Sequence, residues 1–185
     1  MTPPKAIISD SPDTASTALP SFASCGSILR SLLTTNGSIT ILLEAFFDED
    51  QRADKVSERQ VVLTQNYPDL GLTSGDPALE REIFLRGATT NRAYLHATTL
   101  VALNNVKPDF RESLITTGIP IGKLWDDYRM EIFKEVIRYD TRPADDLAAG
   151  FGVDPNDKLL TRSYRVFSDQ RCIMLITESF PENLA

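Results

Sequence analysis

The sequence predicts an α+β domain, an antiparallel sheet with its helices gathered on one side. Three observations lead there. Two pairs of strand-like runs are joined by loops short enough to force antiparallel pairing: "LEREIFLRG" with "RAYLHATTLVAL", and "KLLTRSYRVFS" with "RCIMLITESF". Helix-patterned segments come in pairs between the strands. The 185 residues make about one domain, enough to bury a core without disulfides or a metal.

Taken in order, residues 1–20 are rich in Ser, Thr, Pro and Asp and read as a loose arm. We set the flexible arm at 1–26 and a single domain at 27–185. "SILRSLL" places Ile28, Leu29, Leu32 and Leu33 at helical spacing. "TTNG" breaks that pattern, and Asn-Gly is a turn signal. Ser38 can then cap a second helix, "SITILLEAFF". The result is a helix-turn-helix hairpin of the packing kind, because it lacks the basic residues of one that reads DNA.

"KVSERQVVLTQNY" is strand-like, with Val56, Val61 and Leu63, and "SGDP" punctuates the chain after it. The first strand hairpin turns at "ATTN". "DFRESLITTG" is a short helix ended by Gly118 in the C′ position. "IPIGKLWDDY" opens another, with Pro120 near its first turn. "RMEIFKEVIRY" fits two periods: Ile132, Phe133, Val136 and Ile137 suit a helix, while Met130, Ile132 and Val136 suit a strand. "RPADDLAAGFG" is a short helix with Pro143 early, and the last hairpin turns near "DQ". That makes five strands and one ambiguous segment.

Net charge is −7. The bulk field therefore repels nucleic acid and anionic lipid, and neither is an expected partner. It also repels a small anion, so a site for one needs its own concentrated positive potential. Cys25 and Cys172 lie far apart without C-x-x-C spacing, which reads as two free thiols in a reduced compartment. No apolar run reaches transmembrane length, and no secretory signal is apparent at the start. The expected location is the cytoplasm. No long apolar stripe is left over for a partner, so a monomer is expected.

Much chemistry is missing from the sequence. The one histidine, His96, lies in a strand beside Tyr94 and reads as an ordinary side chain. No His, Cys or carboxylate cluster has metal-ligand spacing, and there is no phosphate-binding, dinucleotide-binding or nucleophile-elbow motif. Trp125 is expected to pack in the core.

Two charges sit on the wrong faces. In "EREIFLRG", Arg81, Ile83 and Leu85 share one face, and Glu80, Glu82, Phe84 and Arg86 share the other, mostly charged one. Glu178 falls on the face of Cys172, Met174 and Ile176. A buried charge needs an ion partner or a ligand. Two helix starts, at Ser38-Ile39 and Ile121-Gly122, offer amides with no partner inside the helix, which are natural anion contacts. With the paired donors of an arginine, these elements suit an aromatic or cyclohexadiene carboxylate. Glu178 could then contact a hydroxyl at the far end of the ring.

Together, "EREIFLRG…AYLHATTLVAL", "TGIPIGKLW" and "SYRVFSDQRCIMLITESFP" resemble the chorismate pyruvate-lyases. The likeness is strongest to the divergent branch of cyanobacteria, archaea and mycobacteria. "LLTTNGSITILLEA" is similar to the same family's first segment, and the resemblance spans about residues 28–181. It implies a six-stranded antiparallel sheet with helices on one face, so that "RMEIFKEVIRY" becomes a strand. It implies two helix-turn-helix flaps over an internal site, at about 28–46 and 112–127. It implies a carbon–oxygen lyase that converts chorismate to 4-hydroxybenzoate and pyruvate without a metal or organic cofactor. The product is a precursor in ubiquinone, plastoquinone and phenolic glycolipid routes.

By the same resemblance, the catalytic and substrate-binding residues are Arg81, for the ring carboxylate, and Glu178, for the hydroxyl. The backbone amides of Ile39 and Ile121 are further substrate contacts. In the best-known bacterial branch a methionine matches Ile39, a leucine matches Ile121, and an Arg-Thr pair stands where this chain has Thr98-Thr99. That leaves the holder of the second carboxylate open among Arg86, Arg92, Lys123, Arg129 and Arg165. A rival from another class is a non-catalytic small-molecule binding domain, related to the effector domains of GntR-type regulators, which resemble the same fold.

Overall fold

The computed structural model describes residues 25–117 and 119–184. The expected arm at 1–26 lies outside the described residues up to position 24, as does the expected C′ role of Gly118.

Six antiparallel strands form one sheet in the order β1-β2-β3-β6-β5-β4. They are β1 (Gln51–Val62), β2 (Pro77–Gly87), β3 (Ala93–Ala102), β4 (Phe133–Pro143), β5 (Lys158–Ser168) and β6 (Arg171–Pro181). Both predicted hairpins are present, β2–β3 and β5–β6, and they join along β3 and β6, with Ala97 opposite Glu178 and Thr99 opposite Ile176. The β5–β6 turn uses Asp169 and Gln170, both at positive φ, which sets the tight reversal without glycine.

The ambiguous "RMEIFKEVIRY" contributes β4. It pairs with β5 from Phe133 opposite Phe167 to Pro143 opposite Lys158, so long-range pairing overrides its helical period. β1 begins at Gln51, four residues before the apolar run that marks it in the sequence. It is an edge strand and half wet, so its first residues show no alternation. Both edge strands carry an irregularity, at Lys55/Ser57 and at Val136/Arg138. Val56, the extra residue in β1, is 53% exposed. Such bulges twist an edge away from further pairing.

Two helical hairpins cover one face: α1 (Ser27–Thr34) with α2 (Ile39–Phe47), and α3 (Pro108–Thr116) with α4 (Ile121–Asp127). α1 buries Leu29, Leu32 and Leu33, the stripe its spacing predicts. Ser38 caps α2, its hydroxyl accepting from the Ile41 amide at 3.4 Å. The hairpins pack on Leu85, Leu95 and Phe180 at one end of the sheet and on Leu79, Val166 and Met174 at the other.

The expectation that helices cover one face only needs correction. On the second face, the segment 63–72, with a 3₁₀ turn at Pro68–Leu70, packs on Ala78, Leu100 and Leu175. A short helix α5 (Ala148–Phe151) packs on Phe84, Ala93 and Leu159. The contact is close: a Cβ on Gly150 would lie 2.2 Å from Phe84 Cζ. The apolar residues interleaved with Glu80, Glu82 and Arg86 need this cover. His96 lies on the same face, beside the Phe84 ring, with Nε2 2.8 Å from Glu82 Oε1. Burial lowers its pKa, and Glu82 opposes that shift. Cys25 and Cys172 are both free thiols. Among the described residues no helix is long and apolar enough to cross a membrane.

Candidate functional site

A cavity of about 60 Å³ lies between the sheet and the two helical hairpins. Its lining includes all four residues singled out from the sequence: Ile39, Arg81, Ile121 and Glu178. They come from four elements, namely α2, β2, α4 and β6.

Arg81 is 1% exposed. Its Nε lies 3.4 Å from Glu58 Oε2 across the β1–β2 ladder, but the angles make no hydrogen bond. Nη2 donates a long bond to the Ile119 carbonyl at 3.4 Å. Nε and Nη1 are buried with no hydrogen-bond partner. Glu58 is also held by Lys55, whose Nζ is 2.6 Å from Oε1. Burial pulls the Arg81 pKa below the usual guanidinium value, and Glu58 only partly restores it. Such a cation favours an incoming anion.

Glu178 is built differently. It is 5% exposed, and both its oxygens are occupied. Arg162 Nε donates to Oε2 at 2.7 Å, and the Tyr164 hydroxyl donates to Oε1 at 2.8 Å. Arg162, also 1% exposed, reaches on to the end of α1, where Nη1 donates to the carbonyls of Leu33 at 3.2 Å and Thr35 at 2.8 Å. Burial, with Glu178 alongside, raises the Tyr164 pKa well above 10, so the phenol stays a donor.

Sequence reasoning missed Arg162. The signal was available, since Leu160, Arg162, Tyr164 and Val166 share a face of β5, the same pattern that exposed Arg81.

It also missed Lys134, on β4, which lines the cavity and is 7% exposed. Its Nζ donates to the Gly37 carbonyl at 2.7 Å, in the α1–α2 turn. The ammonium lies 4.9 Å from the centroid of the Trp125 ring and 5.6 Å from that of Tyr164. Burial lowers its pKa to about 8. Glu178 and Asp126 oppose that shift, and Arg162 adds to it. Trp125 belongs to the core as expected, but it also lines the cavity, and its Nε1 is buried without a partner.

None of the five basic residues proposed for a second carboxylate lines this cavity. Arg86 pairs with Asp54 at 3.0 Å and donates to the Gly150 carbonyl. Arg92 donates to the Leu184 carbonyl at 2.9 Å and lies over the Tyr94 ring. Arg165 pairs with Glu135 at 2.8 Å, and Arg129 is exposed just after α4. Lys123 pairs with Glu44 at 2.8 Å, linking α4 to α2. Of the Thr98-Thr99 pair, Thr99 lines the cavity.

Ile39 and Ile121 are the first residues of α2 and α4. The two helix starts pack closely, and a Cβ on Gly122 would lie 3.0 Å from Ser38 Oγ.

The fold is similar to that of several solved structures. The chain matches PhnF from Mycobacterium smegmatis with a TM-score of 0.62 at 16% identity, over 80% of this chain and 65% of that one. It matches the PhnF effector domain with a TM-score of 0.60 at 17% identity, over 78% of this chain and 88% of the domain. A GntR-family transcriptional regulator from Bacillus cereus follows at 0.54 and 12% identity, over 71% of this chain and 91% of that one. At these identities the likeness is one of fold.

The sequence goes further. The chain belongs to the Rv2949c-like chorismate pyruvate-lyase family, whose model matches residues 33–185. It is 26% identical over 156 residues to the chorismate pyruvate-lyase of Mycobacterium tuberculosis, covering 82% of this chain and 78% of that protein. The chorismate pyruvate-lyase of Mycobacterium leprae is 24% identical over 153 residues, covering 82% of this chain and 73% of that protein.

Proposed function

We propose that the protein is a cofactor-independent chorismate lyase, releasing pyruvate from chorismate to leave 4-hydroxybenzoate. The observation that carries this reading is Arg81, a buried cavity arginine with two donors unpartnered. In a chain of net charge −7, such a group is the concentrated positive potential that a carboxylate ligand needs. Family membership supplies the class of ligand.

In this reading Arg81 takes the ring carboxylate in a paired hydrogen bond, and the first amides of α2 and α4, at Ile39 and Ile121, add to it. Glu178 accepts from the ring hydroxyl. Its oxygens are already fixed by Arg162 and Tyr164, which suits an orienting acceptor better than a mobile base. The reaction breaks the ring carbon–oxygen bond of the enol ether. The hydrogen beside the ring hydroxyl leaves, and its electron pair completes the aromatic ring. The enol ether carbon becomes the ketone of pyruvate, whose methyl group gains the proton. Aromaticity drives the step, so the protein contributes conformer selection and exclusion of water.

The cavity as it stands holds about 60 Å³, whereas roughly 150 Å³ is needed for a benzene ring. Entry therefore requires α2 and α4 to move outward, parting the Glu44–Lys123 ion pair that joins them.

The test is to incubate the protein with chorismate and quantify both products. Wild type yields equal pyruvate and 4-hydroxybenzoate. Arg81→Ala, still folded, loses at least about 100-fold in kcat/KM. Full turnover by that variant overturns the assignment. A second reading, a non-catalytic binding domain, is favoured by the fold's likeness to regulator domains. It predicts that wild type binds an aromatic acid but releases no pyruvate.

A further inference from the structure

Across the sheet, the charged residues of the cavity stand in order: Arg81 on β2, Glu178 on β6, Lys134 on β4. β2 and β4 are four strand spacings apart, about 19 Å between backbones along the sheet. The two long basic side chains therefore reach into the cavity from opposite sides of it. Their electrostatic situations are alike in one respect. Neither makes a charge-assisted hydrogen bond to a carboxylate, and Lys134 makes no ion pair among the described residues. An ammonium has three donors, and Lys134 uses one of them on the Gly37 carbonyl. Beside it, the Trp125 indole Nε1 is a further buried donor without a partner.

We propose that Lys134 binds the second carboxylate of a dicarboxylate ligand whose first carboxylate is held by Arg81. The proposal rests on the lyase reading for the identity of that ligand, but not for its chemistry. In chorismate terms, the order across the sheet is ring carboxylate, ring hydroxyl, side-chain carboxylate. In such a ligand the ether side chain is attached next to the hydroxyl-bearing carbon, so its carboxylate can reach beyond the ring. The surface basic residues cannot serve, because each is engaged or exposed outside the cavity. Arg162 lines no part of it and is committed to Glu178 and the carbonyls at the end of α1. A lysine left this way pays for burial with a weakened hold on its proton, in keeping with its lowered pKa.

The competing structural role is a tie between β4 and the α1–α2 turn, through the Gly37 carbonyl. A tie would affect every ligand equally, whereas a carboxylate contact affects only ligands that carry the second carboxylate. Calorimetry on wild type, Lys134→Met and Lys134→Arg therefore uses two probes, benzoate and 3-(carboxymethoxy)benzoate. Wild type should prefer the dicarboxylate by about 10- to 100-fold. Lys134→Met should lose that preference while still binding benzoate within about threefold of wild type, which also shows that it is folded. Lys134→Arg should recover part of the preference. No preference in wild type, or a preference that survives in Lys134→Met, overturns the proposal. So does an equal weakening of both probes. Chorismate turnover is scored separately. A protein that shows the Lys134-dependent preference but releases no pyruvate retains the proposal and loses the lyase reading.

Discussion

Two arginines of the sheet's inner face look the same in sequence and are opposites in structure. Arg162 and Arg81 are each 1% exposed, on strands whose neighbouring positions are apolar. Arg162 has a carboxylate at 2.7 Å and two carbonyls at the end of α1, and only Nη2 is left over. Arg81 has one long bond to a carbonyl and a carboxylate that is near but misaligned, and both Nε and Nη1 are left over. The first is held by a carboxylate and two carbonyls of the protein. The second has no hydrogen-bonded carboxylate among the described residues. Burial of a charge thus does not by itself mark a binding group; what sets Arg81 apart is that no carboxylate is hydrogen-bonded to it.

Stability measurements separate the two arginines. The largest effect belongs to Arg162→Met. It strands Glu178 as a buried carboxylate and frees the α1–α2 turn, and should cost about 3–5 kcal/mol in urea unfolding. Arg81→Met removes a cation that the fold does not satisfy and should change stability by less than about 1 kcal/mol. If the two costs were equal, or reversed, the contrast between the arginines would fail.

A smaller effect separates the two roles of Glu178. Glu178→Gln keeps the shape and one acceptor but sets an amide against either Arg162 or Tyr164. An orienting residue should lose less than about 100-fold in kcat, below or at the low edge of the range for a general acid–base group, about 10²–10⁴. Activity abolished with 4-hydroxybenzoate binding intact would make Glu178 the base.

The smallest effect sharpens the picture of Lys134, which is charged at neutral pH at a cost. Its folded pKa of about 8 lies below the unfolded 10.5. Below pH 8 both states hold the proton, and the fold bears the whole cost of the buried charge. Between about 8 and 10.5 only the unfolded state keeps it, so stability rises with pH through that window. Facing the ammonium are Glu178 on β6, Arg162 and Tyr164 on β5, and Asp126 on α4. Relative to Lys134→Met, wild type should gain on the order of 1–2 kcal/mol across the window, allowing for relaxation around the charge. Parallel stability curves for the two proteins would show that Lys134 does not titrate there.

What the sequence carried, and what it hid, divides along physical lines. Local signals were legible: the two tight hairpins, both helical hairpins, the Ser38 cap, and the faces of β2 and β6 that exposed Arg81 and Glu178. Arg162 was equally legible by alternation on β5 and was passed over. Lys134 was not. Its segment satisfies two periods, so its face could not be assigned before pairing with β5 fixed it, and the irregularity at Val136/Arg138 breaks the alternation further. Glu58 was hidden for the same reason, because the irregularity at Lys55/Ser57 shifts the phase of β1. The cover on the second face, from 63–72 and α5, depends on contacts distant in sequence and has no local signature.

On this reading, the missing partner of Arg81 is a ligand carboxylate. Calorimetric titration of wild type and Arg81→Ala with 4-hydroxybenzoate, and with 4-hydroxybenzamide as the uncharged control, tests it most directly. If a ligand carboxylate completes Arg81, the acid binds wild type and weakens at least about 50-fold in the variant, while the amide binds both poorly and alike. Equal affinity of the acid for the two proteins would contradict it.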